Sequence, residues 1–175
     1  MGKHKRWVQL GIFAVVLVIG VLTIINNLSS SDSKSYPQVG DKALDFTLVG
    51  LDGQTHKLSD YKGKPVVINF WGTFCPPCKE EMPALQRQYE KWGSQGVVFL
   101  EVNVDTSKVT VQGFMDQYKL NLPVLLDAKE KVRKMYGVMD YPTTFFVGKD
   151  GKISVKKIGQ MEESFIDTTI AATQG

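Results

Sequence analysis

The sequence predicts an α/β protein: a mixed central sheet flanked by helices, preceded by one membrane-spanning helix. Three observations carry this. Strand and helix patterns alternate along residues 36–175, and a nearly continuous apolar run of strand-forming residues occupies 66–71. The third is an apolar stretch of 19 residues from Trp7 to Ile25. A length of 175 residues leaves room for one domain and an appendage.

The first 28 residues hold Lys3, Lys5 and Arg6 and no acid, and no charge occurs from Trp7 to Ser31. As a helix, Trp7–Ile25 would extend roughly 28 Å, close to the hydrocarbon thickness of a bilayer. A cleaved signal peptide is the competing reading. Its apolar core is usually shorter and ends in a small-x-small site, which Ile25-Asn26-Asn27-Leu28 does not offer. No cysteine lies nearby for lipid attachment. Residues 1–28 are therefore expected to be a basic stub and an uncleaved anchor. Positive charge next to a span stays cytoplasmic, which puts the remaining domain on the extracytoplasmic side. Residues 29–35, Ser-Ser-Ser-Asp-Ser-Lys-Ser, read as a flexible polar linker, and the folded domain is expected over 36–175. Beyond the basic stub, 18 basic residues balance 18 acidic ones. Such a domain has no global field to attract nucleic acid, so that partner class is set aside.

Within the domain, Asp45–Leu48 reads as a strand, and Asp52-Gly53 as a turn into a second strand at Thr55–Leu58. Val66–Trp71 has the composition of a central strand covered on both faces. A helix is expected from Pro76 to Trp92, ended by Gly93 and Gly96. Strand Val97–Val104, helix Ser107–Tyr118, strand Val124–Leu126 and helix Lys129–Tyr136 follow. The turn Lys149-Asp150-Gly151-Lys152 joins strands Thr143–Val147 and Ile153–Ile158 as an antiparallel pair, and helix Glu162–Ala172 closes the chain.

The only two cysteines, Cys75 and Cys78, stand where the central strand gives way to a helix. Three positions apart on a first helical turn, they share one face and are close enough to bond. Free N–H groups and the dipole at a helix start favour a thiolate on Cys75. A purely structural disulfide would close too short a loop to gain much chain entropy. Zinc would need about four ligands, and only His4 and His56 could add to the cysteines. The expectation is a redox-active pair with no metal and no other cofactor.

Asn69-Phe70-Trp71-Gly72-Thr73-Phe74-Cys75-Pro76-Pro77-Cys78-Lys79 resembles the active-site strand, turn and helix of the thioredoxin superfamily. Gly137 to Phe145 is similar to its cis-proline loop. The opening Asp45-Phe46 strand, the hairpin, the Phe-Trp-Gly-Thr before the cysteines, Glu81, Pro83 and the added helix and strand near 107–126 look like its ResA-like, TlpA-like branch. That resemblance covers about residues 36–173. It implies a thioredoxin-like fold with an N-terminal hairpin and a TlpA-like insertion. It also implies a membrane-anchored protein-disulfide reductase, with the haem-attachment cysteine pair of an apocytochrome c among its substrates. A CcdA-like membrane thiol carrier is the implied electron donor.

Cys75 is expected to attack the substrate disulfide and Cys78 to resolve the mixed disulfide. Pro76 and Pro77 have no N–H, which leaves the Cys78 amide as the nearest donor to the Cys75 sulfur. A less stabilised thiolate makes a more reducing couple. By the resemblance, Pro142 is the cis proline and frees the Tyr141 backbone to pair with an extended substrate. Phe70, Trp71 and Phe74 read as core and rim packing, with Trp71 counted beside Tyr141, Pro142, Pro76 and Pro77 on the substrate side.

Cys78, Met82, Leu85 and Tyr89 form the apolar face of the helix; Glu80, Ala84, Arg87 and Lys91 trace the opposite one. Glu81 falls on the inner shoulder. Classical thioredoxins carry an acid six residues before the first cysteine, where this chain has Asn69. Glu81, its pKa raised by partial burial, is expected to serve as the acid–base group for Cys78, against the alternative of a plain first-turn acid. Glu101 and Asp105 read as solvated or paired surface acids. Two other enzyme readings stay open: reduction of other envelope, cell-wall or spore proteins, and disulfide formation. A peroxidase would need a threonine where Gly72 stands, and a copper-delivery protein a histidine after His56.

Overall fold

Seven strands form one mixed sheet in the order β2-β1-β5-β4-β3-β6-β7. The strands are β1 (Thr47–Gly50), β2 (Thr55–Lys57), β3 (Val66–Trp71), β4 (Val98–Asn103), β5 (Val124–Leu126), β6 (Thr143–Val147) and β7 (Ile153–Ile158). The helices are α1 (Lys3–Ser29), α2 (Pro76–Gly93), α3 (Lys108–Gln117), α4 (Lys131–Met135) and α5 (Glu163–Thr173). This computed structural model describes residues 3–29 and 36–174. It divides into two units, Met1–Ser35 and Tyr36–Gly175.

In the first unit a helix occurs where one was expected. Among the described residues, however, no helix is long and apolar enough to cross a membrane. The spanning role thus has no support from the structure and rests on composition. Apart from Ser29, which ends α1, the expected linker lies outside the described residues.

In the second unit β3 is the organising strand, with all six residues buried. It runs parallel to β4 and antiparallel to β6. Alternation sends Val67 and Trp71 to one face, with Met82 and Leu85 of α2, Phe114 of α3 and Ile166 of α5. Val66, Ile68 and Phe70 go to the other, with Val132 and Tyr136 beside α4. The Tyr136 hydroxyl donates to the Leu44 carbonyl at 2.6 Å and ties the entry segment to that second core.

Most element ends shift by a residue or two from expectation, and four of the departures have a visible cause. β1 starts at Thr47, since Asp45 is held outside the ladder by the Ser59 N–H at 2.9 Å and by Lys57 at 3.5 Å. Leu58–Tyr61 forms a 3-10 turn that ends β2 early. α4 starts at Lys131 because Glu130 adopts φ +52°, while the Asp127 carboxylate accepts the N–H groups of Lys131 and Arg133 at 2.8 Å each. Ala84, expected on the solvated side of α2, is only 9% exposed. α5 packs along that shoulder: Glu163 pairs with Arg87 at 2.7 Å and Asp167 with Lys91 at 2.6 Å. An added helix supplies the cover that the α2 pattern alone does not show.

Candidate active site

Cys75 and Cys78 are joined as a disulfide, their Cα atoms 5.3 Å apart. Cys75 is the N-cap of α2, extended at φ −97° and ψ 109°, and Pro76 opens the helix. Proline suits that position because its fixed φ is helical and its missing N–H would have no partner there. The Cys78 N–H donates to the Cys75 sulfur at 3.3 Å. Cys75 is 5% exposed and Cys78 1%, so the upstream sulfur is the more accessible of the two but less open than expected. Around it, Phe74 is 61% exposed and meets Tyr141 edge-on at 5.9 Å. Gly72 makes room, since a Cβ there would lie 2.4 Å from the Phe74 ring.

The Tyr141–Pro142 peptide is cis. Pro142 is buried and Tyr141 half-buried; Pro76 is exposed and Pro77 half-buried. Trp71 departs from its expected place on the substrate side. It is 0% exposed and packs on Phe114 at 5.2 Å, beneath the dithiol, where no partner can touch it. Its strand, apolar but for Asn69 and covered on both faces, carries it inward.

Glu81 lies one turn beyond Cys78 and is 1% exposed. Its carboxylate accepts from Asn69 Nδ2 and from the Met161 N–H, both at 2.7 Å. Burial pushes this carboxyl from 4.5 up to about 7, against the pull of those two donors and of Lys157. A carboxyl of that affinity, one helical turn from Cys78, can take and return a proton near neutral pH.

Asp105, read as a surface acid, is instead a brace for the loop before the dithiol. Its carboxylate accepts the N–H and the hydroxyl of Thr73, each at 2.8 Å. Asn103 secures it from the end of β4, donating Nδ2 at 2.9 Å and accepting the Asp105 N–H at 2.9 Å. The partners are 32 residues apart, so only the β3–β4 register reveals the contact. Asp105→Ala is expected to cost about 1–3 kcal/mol, because Thr73 and Asn103 lose a charged acceptor. Urea unfolding of the oxidised protein measures it, and an unchanged midpoint would show that Asp105 braces nothing. Glu101 is overturned more sharply. It is 0% exposed, with neither carboxylate oxygen partnered among the described residues.

Among those residues no group of three His, Cys, Asp or Glu side chains could hold a metal ion. The chemistry is that of the sulfurs. A reduced pair could pass its electrons on: a Cys75 thiolate could attack a partner's disulfide and expel one partner sulfur, and Cys78 could then give up its proton and attack Cys75, releasing the second partner sulfur. Two electrons would pass to the partner and leave the pair bonded, as it is here.

A disulfide at the start of a helix, its first cysteine the less buried of the two, beside a proline loop on a thioredoxin-like sheet marks a thiol-disulfide oxidoreductase. Residues 39–156 match the AhpC/TSA family. The chain is 40% identical over 164 residues to thiol-disulfide oxidoreductase ResA of Bacillus subtilis, covering 94% of this chain and 90% of that one. It is 36% identical to ResA of Halalkalibacterium halodurans over 168 residues, 95% and 94% of the two chains. A solved thiol:disulfide interchange protein of the thioredoxin family from Chlorobium tepidum superposes with a TM-score of 0.70 at 26% identity, over 81% of this chain and all of that one. The protein belongs to the AhpC/TSA family and, within it, to the ResA-like thiol-disulfide oxidoreductases.

Proposed function

We propose that the protein is an extracytoplasmic reductase of protein disulfides, and that its substrate is the haem-attachment cysteine pair of apocytochrome c. The observation that carries the reducing direction is the hydrogen bonding of Cys75. With Pro76 and Pro77 at the helix start, its sulfur accepts from the Cys78 N–H at 3.3 Å. A thiolate so thinly stabilised gives up its electrons readily. The apocytochrome assignment rests on the similarity to ResA relatives and on the match of a two-electron dithiol to a two-cysteine substrate.

The uncharged run from Trp7 to Ser31 behind Lys3, Lys5 and Arg6 supports a single-pass anchor with its N-terminus in the cytoplasm. A reductase working outside must be recharged from inside. A CcdA-like membrane thiol carrier meets that need by the same disulfide exchange. Cys78→Ser removes the resolving sulfur and is expected to hold the natural substrate on Cys75 as a mixed disulfide. In cells making c-type cytochromes, the trapped species should contain apocytochrome. Capture of other envelope proteins alone, without apocytochrome, would refute the substrate assignment.

A further inference from the structure

Seven buried side-chain atoms lack a hydrogen-bond partner among the described residues. Four form one row: both carboxylate oxygens of Glu101, Oδ1 of Asn69 and Oγ1 of Thr144. Register makes the row. Asn69 of β3 is paired with Glu101 of β4 on one side and with Thr144 of β6 on the other. Paired strands lie about 4.8 Å apart, so the three side chains stand next to one another. Alternation places them on the face that carries Val67, Trp71, Phe99 and Phe146, beneath α2, and all three are 0% exposed. Glu81 closes the row from above by accepting Asn69 Nδ2 at 2.7 Å.

The amide of Asn69 has two ends. With its nitrogen committed to Glu81, its oxygen needs a donor, and an ionised Glu101 has none to give. A dry carboxylate with no donor of its own is also costly to bury, whereas a carboxylic acid carries one O–H.

We propose that Glu101 is a positioning residue for the dithiol chemistry: as a neutral acid it donates to the Asn69 amide oxygen and locks the amide with its nitrogen toward Glu81. The lock has a direction. A nitrogen facing Glu81 supports the carboxylate that takes the Cys78 proton, while a reversed amide would present an oxygen and oppose it. Full burial and the nearby Glu81 charge push the Glu101 carboxyl well above its ordinary range, in line with the acid form. Few other charges face the pair. β7 contributes Lys157, which favours ionised Glu81; β5 contributes Val124, and α3 contributes Val111, Phe114 and Met115. α5 contributes Ile166 and Ile170, its Glu163 and Asp167 being paired with Arg87 and Lys91.

The inference rests on Glu81 being the proton acceptor, and its test reads Glu81 separately from activity. In the full-length chain, carbon-13 carboxyl titration follows Glu81 while stopped-flow mixing follows reduction of a peptide disulfide. Glu101→Gln keeps a donor in the same place and should reproduce the wild-type Glu81 titration. Glu101→Met keeps the volume without the donor. It should raise the Glu81 midpoint by about one pH unit and slow exchange about tenfold below that midpoint. A Met variant with a wild-type Glu81 titration would overturn the proposal. So would a Gln variant shifted as far as Met, since charge and not hydrogen bonding would then be at work. Should Glu81→Gln leave exchange untouched, the proton-acceptor reading fails, but the carboxyl titration still decides the part played by Glu101.

Discussion

Cys75→Ser is expected to reduce disulfide exchange to the uncatalysed background, a loss on the order of 10³-fold or more. The effect is this large because the second sulfur cannot stand in for the first. Cys78 is 1% exposed and packs in the core with Met82 and Leu85, deeper than Cys75, which leaves Cys75 the better placed to meet a protein disulfide. Serine keeps the N-cap, since its oxygen accepts the Cys78 N–H as well as sulfur does, and the fold should be retained. Steady-state reduction of a peptide disulfide by the pre-reduced protein measures the loss. Activity within about tenfold of wild type would mean that Cys78 is reachable and that the division of labour between the sulfurs is wrong.

Glu81→Gln is expected to slow resolution of the mixed disulfide by about 10²-fold and to flatten its pH profile. With glutamate, the rate should climb as pH rises through about 7, where Glu81 becomes the carboxylate that can accept the Cys78 proton. Glutamine cannot titrate. The substitution also fits the site. The Asn69 amide would then turn to offer its Oδ1 to the new amide nitrogen and its Nδ2 to a Glu101 oxygen, leaving the new carbonyl for the Met161 N–H.

Stability should move the other way. The unfolded carboxyl ionises near 4.5 and the folded one near 7, so the folded chain holds the extra proton between those values. Its stability therefore falls as pH rises through that window, is unaffected below it and bears the full penalty above it. Glutamine relieves that penalty, about 3 kcal/mol at pH 8. Denaturation midpoints at pH 4 and pH 8 measure the difference. A variant no more stable than wild type at pH 8, or one with an unchanged rate profile, would contradict this account.

Much of this was legible in the chain because it is local. The run Val66–Trp71, the Cys-Pro-Pro-Cys that caps the next helix and the Lys149–Lys152 turn state their structure within a few residues. Asp105 and Glu101 did not. Asp105 acts on Thr73 across two strands, and nothing near it in sequence signals the pairing. Glu101 did leave a signal: an acid inside Val97–Val104, otherwise almost wholly apolar, sits where a strand covered on both faces has no water to offer. Ala84 and Trp71 were misplaced for a related reason, since α5 and α3 cover them from distant parts of the chain. The identities of Cys75, Cys78, Pro142 and Glu81 were open to reading, but the hydrogen bonds that tune Glu81 come from β3 and from Met161, just ahead of α5.

The segment α3–β5 has a further effect. β5 pairs with β4 at Glu101 and Val124, and β1 and β2 extend the sheet beyond it. Were that segment absent, β4 would form the border of the sheet and water would reach its acid from the side. A hydrated Glu101 would lose its proton at ordinary acidity and place a second negative charge beneath Glu81. By fencing off one edge, α3 and β5 keep the acid beneath the sulfurs anhydrous.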